Sequence, residues 1–143
     1  VNGTDSSNYL ATQSQDGLLS KEDKTIIDGI GSSPVRNTGW FAGLDVAATT
    51  GNLPTSGDVS SAVASLGGGG IVNSTITVTL SNAMNNLNYF VRTSVQSEGN
   101  IDFDNNISNV VFKPISTTEV QIALEEIRDS TQSLKIHLEV VQL

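Results

Sequence analysis

Between residues 71 and 143 apolar and polar side chains alternate with a period of two. In IVNSTITVTL, Ile76, Val78 and Leu80 are interleaved with Thr75, Thr77 and Thr79, which predicts a strand with one buried and one polar face. Further strands are predicted over 88–95, 101–103, 110–113, 119–127 and 134–143. In the last two, Val120, Ile122 and Leu124 oppose Gln121, Ala123 and Glu125, while Leu134, Ile136, Leu138 and Val140 oppose Lys135, His137 and Glu139. The polar stretch 129–132 between them reads as the turn of a hairpin. About six short strands with turn signals every eight to twelve residues predict an antiparallel β-sandwich, its final strand running to residue 143.

The first part of the chain follows a different pattern. In DGLLSKEDKTIIDGI, Ser20 is a natural N-cap and Asp23 completes a capping-box pattern. Glu22 and Asp23 suit the positive end of the helix dipole, and Gly29 stands where a left-handed C-cap residue belongs. These signals predict a helix over 21–28, shorter than the ~12–15 residues at which isolated helices become marginal. Its apolar surface is Leu18, Leu19, Ile26, Ile27 and Ile30. Five such side chains at ~1.5–3 kcal/mol each do not offset ~1–2 kcal/mol per residue of ordering entropy over this part of the chain. Three copies about an axis would bury them against one another, so these five residues are the expected trimer interface. From 31 to 70 the chain reads as loop, with Ser32-Ser33-Pro34, Asn37-Thr38-Gly39 and a Thr/Gly/Pro cluster over 49–57. A weak helix is predicted over 58–66, where Val59, Val63 and Leu66 share a helical face and Asp58 caps it. GGGG at 67–70 sets the expected boundary between a collar and connector, 1–70, and a β-sandwich head, 71–143.

YLATQSQDGLLSKEDKTIIDGI, residues 9–30, resembles the A-T-x-x-x-D-G-L-[ML]-S-x-x-D-K-x-x-[LI]-D-G-[IV] segment of tail fibres and receptor-binding proteins of tailed bacteriophages. The matches include Ala11, Thr12, Asp16, Gly17, Ser20, Asp23, Lys24, Asp28 and Gly29. The resemblance implies a homotrimer at the distal end of a tail fibre in the virion, assembled in the host cytoplasm. The second half is similar in general character to small sandwich heads at fibre tips and to lectin sandwiches, which implies adhesion to a bacterial surface glycan, capsule or lipopolysaccharide, without cleavage. Depolymerase or esterase activity and a purely structural trimerisation role are the competing readings. The chain starts at Val1, and a longer polypeptide upstream is expected.

Composition narrows the partners. The net charge of −8, from 7 basic and 15 acidic side chains, leaves no footprint for phosphate backbones, so nucleic acid is not expected. No run of eighteen apolar residues exists, and membrane insertion is not expected either. Zero cysteines remove disulfides and thiolate metal sites. Hydrophobic residues other than glycine make up 37%, and the 13 glycines bring the apolar total only to the lower edge of the roughly 45–50% of globular domains.

Candidate chemistry is thin. In NIDFDNN, Asp102 and Asp104 share a face if extended and Asn105 adds an amide oxygen. An exposed β-turn, a calcium site and a glycosidase pair all remain open, and no other cofactor is expected. His137 is the single histidine. Beside Lys135 and Glu139 it reads as a solvent-exposed strand histidine; it forms a metal site only if three symmetry copies meet on a trimer axis, and the paired histidines that some phage fibres use for axial metal are missing. With no G-x-S-x-G, phosphate-loop lysine or H-E-x-x-H, the chain is not expected to be an enzyme. Burial in a core or interface is the commoner role of large aromatics; Trp40 and Tyr89 are the ones suited to stacking on a sugar ring, with Tyr89 expected on the polar face of its strand. The expected ligand-binding set is Trp40, Tyr89, Asp102, Asp104 and Asn105.

Overall fold

The computed structural model describes residues 33–67, 73–101, 107–126 and 133–143. The predicted helix 21–28, the trimer residues Leu18, Leu19, Ile26, Ile27 and Ile30, and the polar cluster of Asp102, Asp104 and Asn105 lie outside these.

The described residues are mainly β, with nine strands: β1 Arg36–Leu44, β2 Gly51–Asn52, β3 Thr55–Gly57, β4 Val59–Leu66, β5 Asn73–Leu80, β6 Tyr89–Ser97, β7 Ile107–Pro114, β8 Glu119–Glu126 and β9 Leu134–Gln142. They form two antiparallel sheets, a four-stranded one ordered β3-β1-β9-β6 and a five-stranded one ordered β2-β4-β5-β8-β7. The alternations of β5, β8 and β9 are realised as read: Ile76, Val78, Val120, Ile122, Ile136 and Val140 are fully buried, and their polar neighbours face outward. Phe41, Leu44, Ile136 and Val140 from one sheet join Ile76, Val78, Ile122 and Leu124 from the other in a single apolar core.

Three expectations are corrected. The compact unit runs from Pro34 to Leu143 and does not begin after Gly70, because β1 and β3 belong to the four-stranded sheet and β2 and β4 to the five-stranded one. Residues 58–66 do not form a helix. β4 pairs with β5 from Val59↔Leu80 to Leu66↔Ser74, with a register shift between Val59 and Ser61. That bulge puts Val59 inside together with Ala62 and Ala64, while Val63 and Leu66, which completed the imagined helical face, are exposed. Finally, β8 and β9 are not a hairpin. β8 pairs with β5 and β7, whereas β9 pairs with β1 and β6, so the chain changes sheet between them. Each strand has one apolar face, and such a face reports burial without reporting the partner.

Two buried amides fasten the 81–88 loop to the four-stranded sheet. Asn37 donates from Nδ2 to Asn82 O (2.9 Å) and accepts the Asn82 N–H at Oδ1 (3.0 Å). Gln142 accepts the Asn85 N–H (2.7 Å) and donates to Asn88 O (2.6 Å). Backbone polar groups of an irregular loop thereby find partners in the two buried side chains. As expected, the chain remains in the sheet up to Gln142.

Candidate functional site

Period-two geometry fixes which side chains meet on the outer face of the four-stranded sheet. Residues directly opposed in an antiparallel pair share a face. Trp40 on β1 stands opposite His137 on β9, which in turn stands opposite Ser94 on β6. The next row is Thr38, Glu139 and Arg92, and the one after it Arg36, Val141 and Phe90. On the other side of His137, Lys135 is opposed by Gln96. The result is a platform of long polar and aromatic side chains on regular backbone.

These side chains hold one another in place. The Lys135 ammonium sits 4.5 Å from the centre of the Trp40 ring, a cation–π contact that orients the half-buried indole. His137 Nε2 lies 2.7 Å from Gln96 Oε1, so this nitrogen carries the proton and donates. Arg36 Nη1 is 3.7 Å from Glu139, and Lys135 Nζ is 3.8 Å from Glu98. Glu98 also accepts the Ser133 hydroxyl (2.6 Å) and the Gly43 N–H (3.1 Å). The Ser133 hydrogen bond, followed by the Gly43 N–H and the Lys135 charge, holds its carboxyl below the ordinary value against the opposing effect of burial. A shallow depression of about 390 Å³ opens on this face, bordered by Thr38, Arg92, Ser94, His137 and Glu139.

Glycine at two positions sets the edge of the platform. Gly43 has φ +73° within the irregularity between Phe41 and Leu44, and it presents its N–H to Glu98. Gly57, with φ +70°, pairs with Gly39, and a Cβ on either would strike the backbone of the opposite strand. Their absence of side chains lets β3 lie close against β1 beside Trp40.

Of the expected ligand residues, Trp40 is on the platform and Tyr89 is not. Tyr89 is 4% exposed, and its hydroxyl donates to Ser116 O (3.0 Å) and Glu119 O (3.1 Å). Burial raises its pKa. The first residue of β6 faces the core, so Phe90 takes the outward position expected for Tyr89. His137 does face outward, where Gln96 occupies its Nε2. Among the described residues no group of three metal-ligating side chains occurs. Asp102, Asp104 and Asn105 lie outside the described residues, as does the question of calcium at them.

The sequence reading missed Arg92, Ser94 and Gln96. The spacing of two between Arg92 and Ser94 was a usable signal within the predicted strand 88–95, and Gln96 falls just past its end, but the three become a site only once β6 is known to pair with β9. A second depression, about 270 Å³, lies on the outer face of the five-stranded sheet over Ala123, between Thr75 and Val111. It has no aromatic lining. Compared with protein-family models, with curated proteins and with solved structures, the chain matches none.

Proposed function

We propose that the chain is the distal, receptor-binding portion of a bacteriophage tail fibre, which attaches the virion to a bacterial surface glycan without cleaving it. In this reading Leu18, Leu19, Ile26, Ile27 and Ile30 join three protomers in a collar, and the two sheets form a β-sandwich head. The observation that carries it is the outer face of the four-stranded sheet, where the indole of Trp40, oriented by Lys135, stands across from His137, and His137, Ser94, Arg92 and Glu139 border a depression large enough for a sugar ring. Sugars present axial hydrogens that suit an aromatic face, together with hydroxyls that need both donors and acceptors. The fibre-like segment over 9–30 supports the placement at a tail tip. Three shallow sites on one trimer gain avidity through effective concentration, so weak individual contacts suffice.

Immobilised bacterial capsule and lipopolysaccharide provide the test. The full chain is expected to be retained with the polymer intact, and to sediment at about 45 kDa, three times the 15.0 kDa protomer. Shortening of the polymer would instead indicate a depolymerase. A trimer that binds neither polymer nor cells would indicate a structural module.

A further inference from the structure

The chain carries 7 Lys and Arg residues against a net charge of −8. Four of them, Arg36, Arg92, Lys113 and Lys135, are among the described residues, and all but Lys113 stand on the outer face of the four-stranded sheet. Two of these three are answered by carboxylates: Arg36 by Glu139 and Lys135 by Glu98. Arg92 is different. Its direct cross-strand neighbour is Glu139, yet that carboxylate is engaged by Arg36. Arg92 makes no ion pair among the described residues. Its guanidinium is instead held 5.0 Å from the centre of the Phe90 ring, exposed, at the border of the depression.

A guanidinium stacked on an aromatic ring keeps its fork of N–H donors ordered and available, which suits bidentate recognition of a carboxylate or phosphate. With Arg36 and Lys135 answered by carboxylates, the Arg92 guanidinium is the cation on this face left to meet an incoming anion. We infer that the glycan bound here is anionic, with a uronate carboxylate or a phosphate held by Arg92, ring hydroxyls bonded to Ser94 and Glu139, and the indole of Trp40 alongside. This rests on the reading of the platform as a glycan site and specifies the class of sugar it takes.

An array of uronic-acid polysaccharides, phosphodiester-linked polysaccharides and neutral polysaccharides, probed with the full chain and with the Arg92→Gln and Arg92→Lys variants, tests it. Arg92 is exposed, so both variants should keep the far-UV circular dichroism of the parent. Retention on one of the two anionic classes is expected, at least tenfold weaker in Arg92→Gln and intermediate in Arg92→Lys, which keeps the charge but loses the fork. Whether uronate or phosphodiester polymers are bound identifies the source of the anion. Unchanged binding of Arg92→Gln to an anionic polymer would overturn the inference. So would neutral polymers bound as tightly as anionic ones, although the adhesin reading would then stand. Retention on no polymer and on no bacterial cell would overturn both.

Discussion

The two sheets share one core but present different outer faces. On the five-stranded sheet the outward residues Asn73, Thr75, Thr77 and Thr79 of β5 pair with Glu125, Ala123, Gln121 and Glu119 of β8, with no aromatic and no cation among them. On the four-stranded sheet the outward rows carry Trp40, Phe90, Arg36, Arg92, Lys135, His137 and Glu139. Inward faces are equivalent in both, with Ile76, Val78, Val120 and Ile122 set against Phe41, Ile136, Leu138 and Val140. Apolar alternation therefore specifies the fold in both sheets, and function can differ between them because the other half of each strand is free of that demand. β-branched threonines favour the strand without offering a ligand much to hold.

The largest effect should come from the shared core. Ile122→Ala removes a fully buried side chain of the five-stranded sheet and is expected to cost about 2–5 kcal/mol. Trp40, the only tryptophan, reports from the other sheet. Its fluorescence and the far-UV signal should shift together to lower urea; a shift in one without the other would separate the two sheets. Next in size, Trp40→Ala should weaken glycan retention at least tenfold while Thr77→Ala on the opposite face leaves it unchanged. Equal losses in the two variants would erase the distinction between the faces. The smallest effect concerns acid. Because the folded protein depresses the Glu98 pKa, this group adds stability above its unfolded value, about 4.3, and that contribution is lost as pH falls through the lower folded value. Glu98→Gln should thus be less stable than the parent at neutral pH and nearly equal to it in strong acid, as read from urea midpoints across pH 2–7.

How far the sequence could be read depended on which residues line the core. β5, β8 and β9 bury large aliphatic side chains at every second position, so their pattern is plain. β1 turns Asn37, Gly39 and Phe41 inward, and β4 turns in Val59, Ala62 and Ala64, with a bulge that breaks the period. An amide, a glycine and two alanines carry little hydrophobic signal, which is why 36–66 resembled loop and weak helix. The site was legible to the same extent. Trp40 and His137 stood out by type, but their apposition across β1 and β9 is a matter of register between distant segments, which local patterning does not encode. Tyr89 was misplaced because both residues of the Tyr89-Phe90 pair satisfy an inward position, and only the two carbonyls waiting for its hydroxyl distinguish them.

β9 comes last in chain order yet lies in the middle of its sheet, between β1 and β6. During synthesis β6 emerges with no hydrogen-bonded neighbour, and one edge of β1 stays open until the ribosome has delivered residues 134–142. Closing that gap links segments nearly a whole unit apart, the kind of long-range pairing that slows folding. Completion of this sheet consequently waits for residues 134–142, and a nonsense mutation upstream of them would leave an aggregation-prone half-product rather than a smaller working domain.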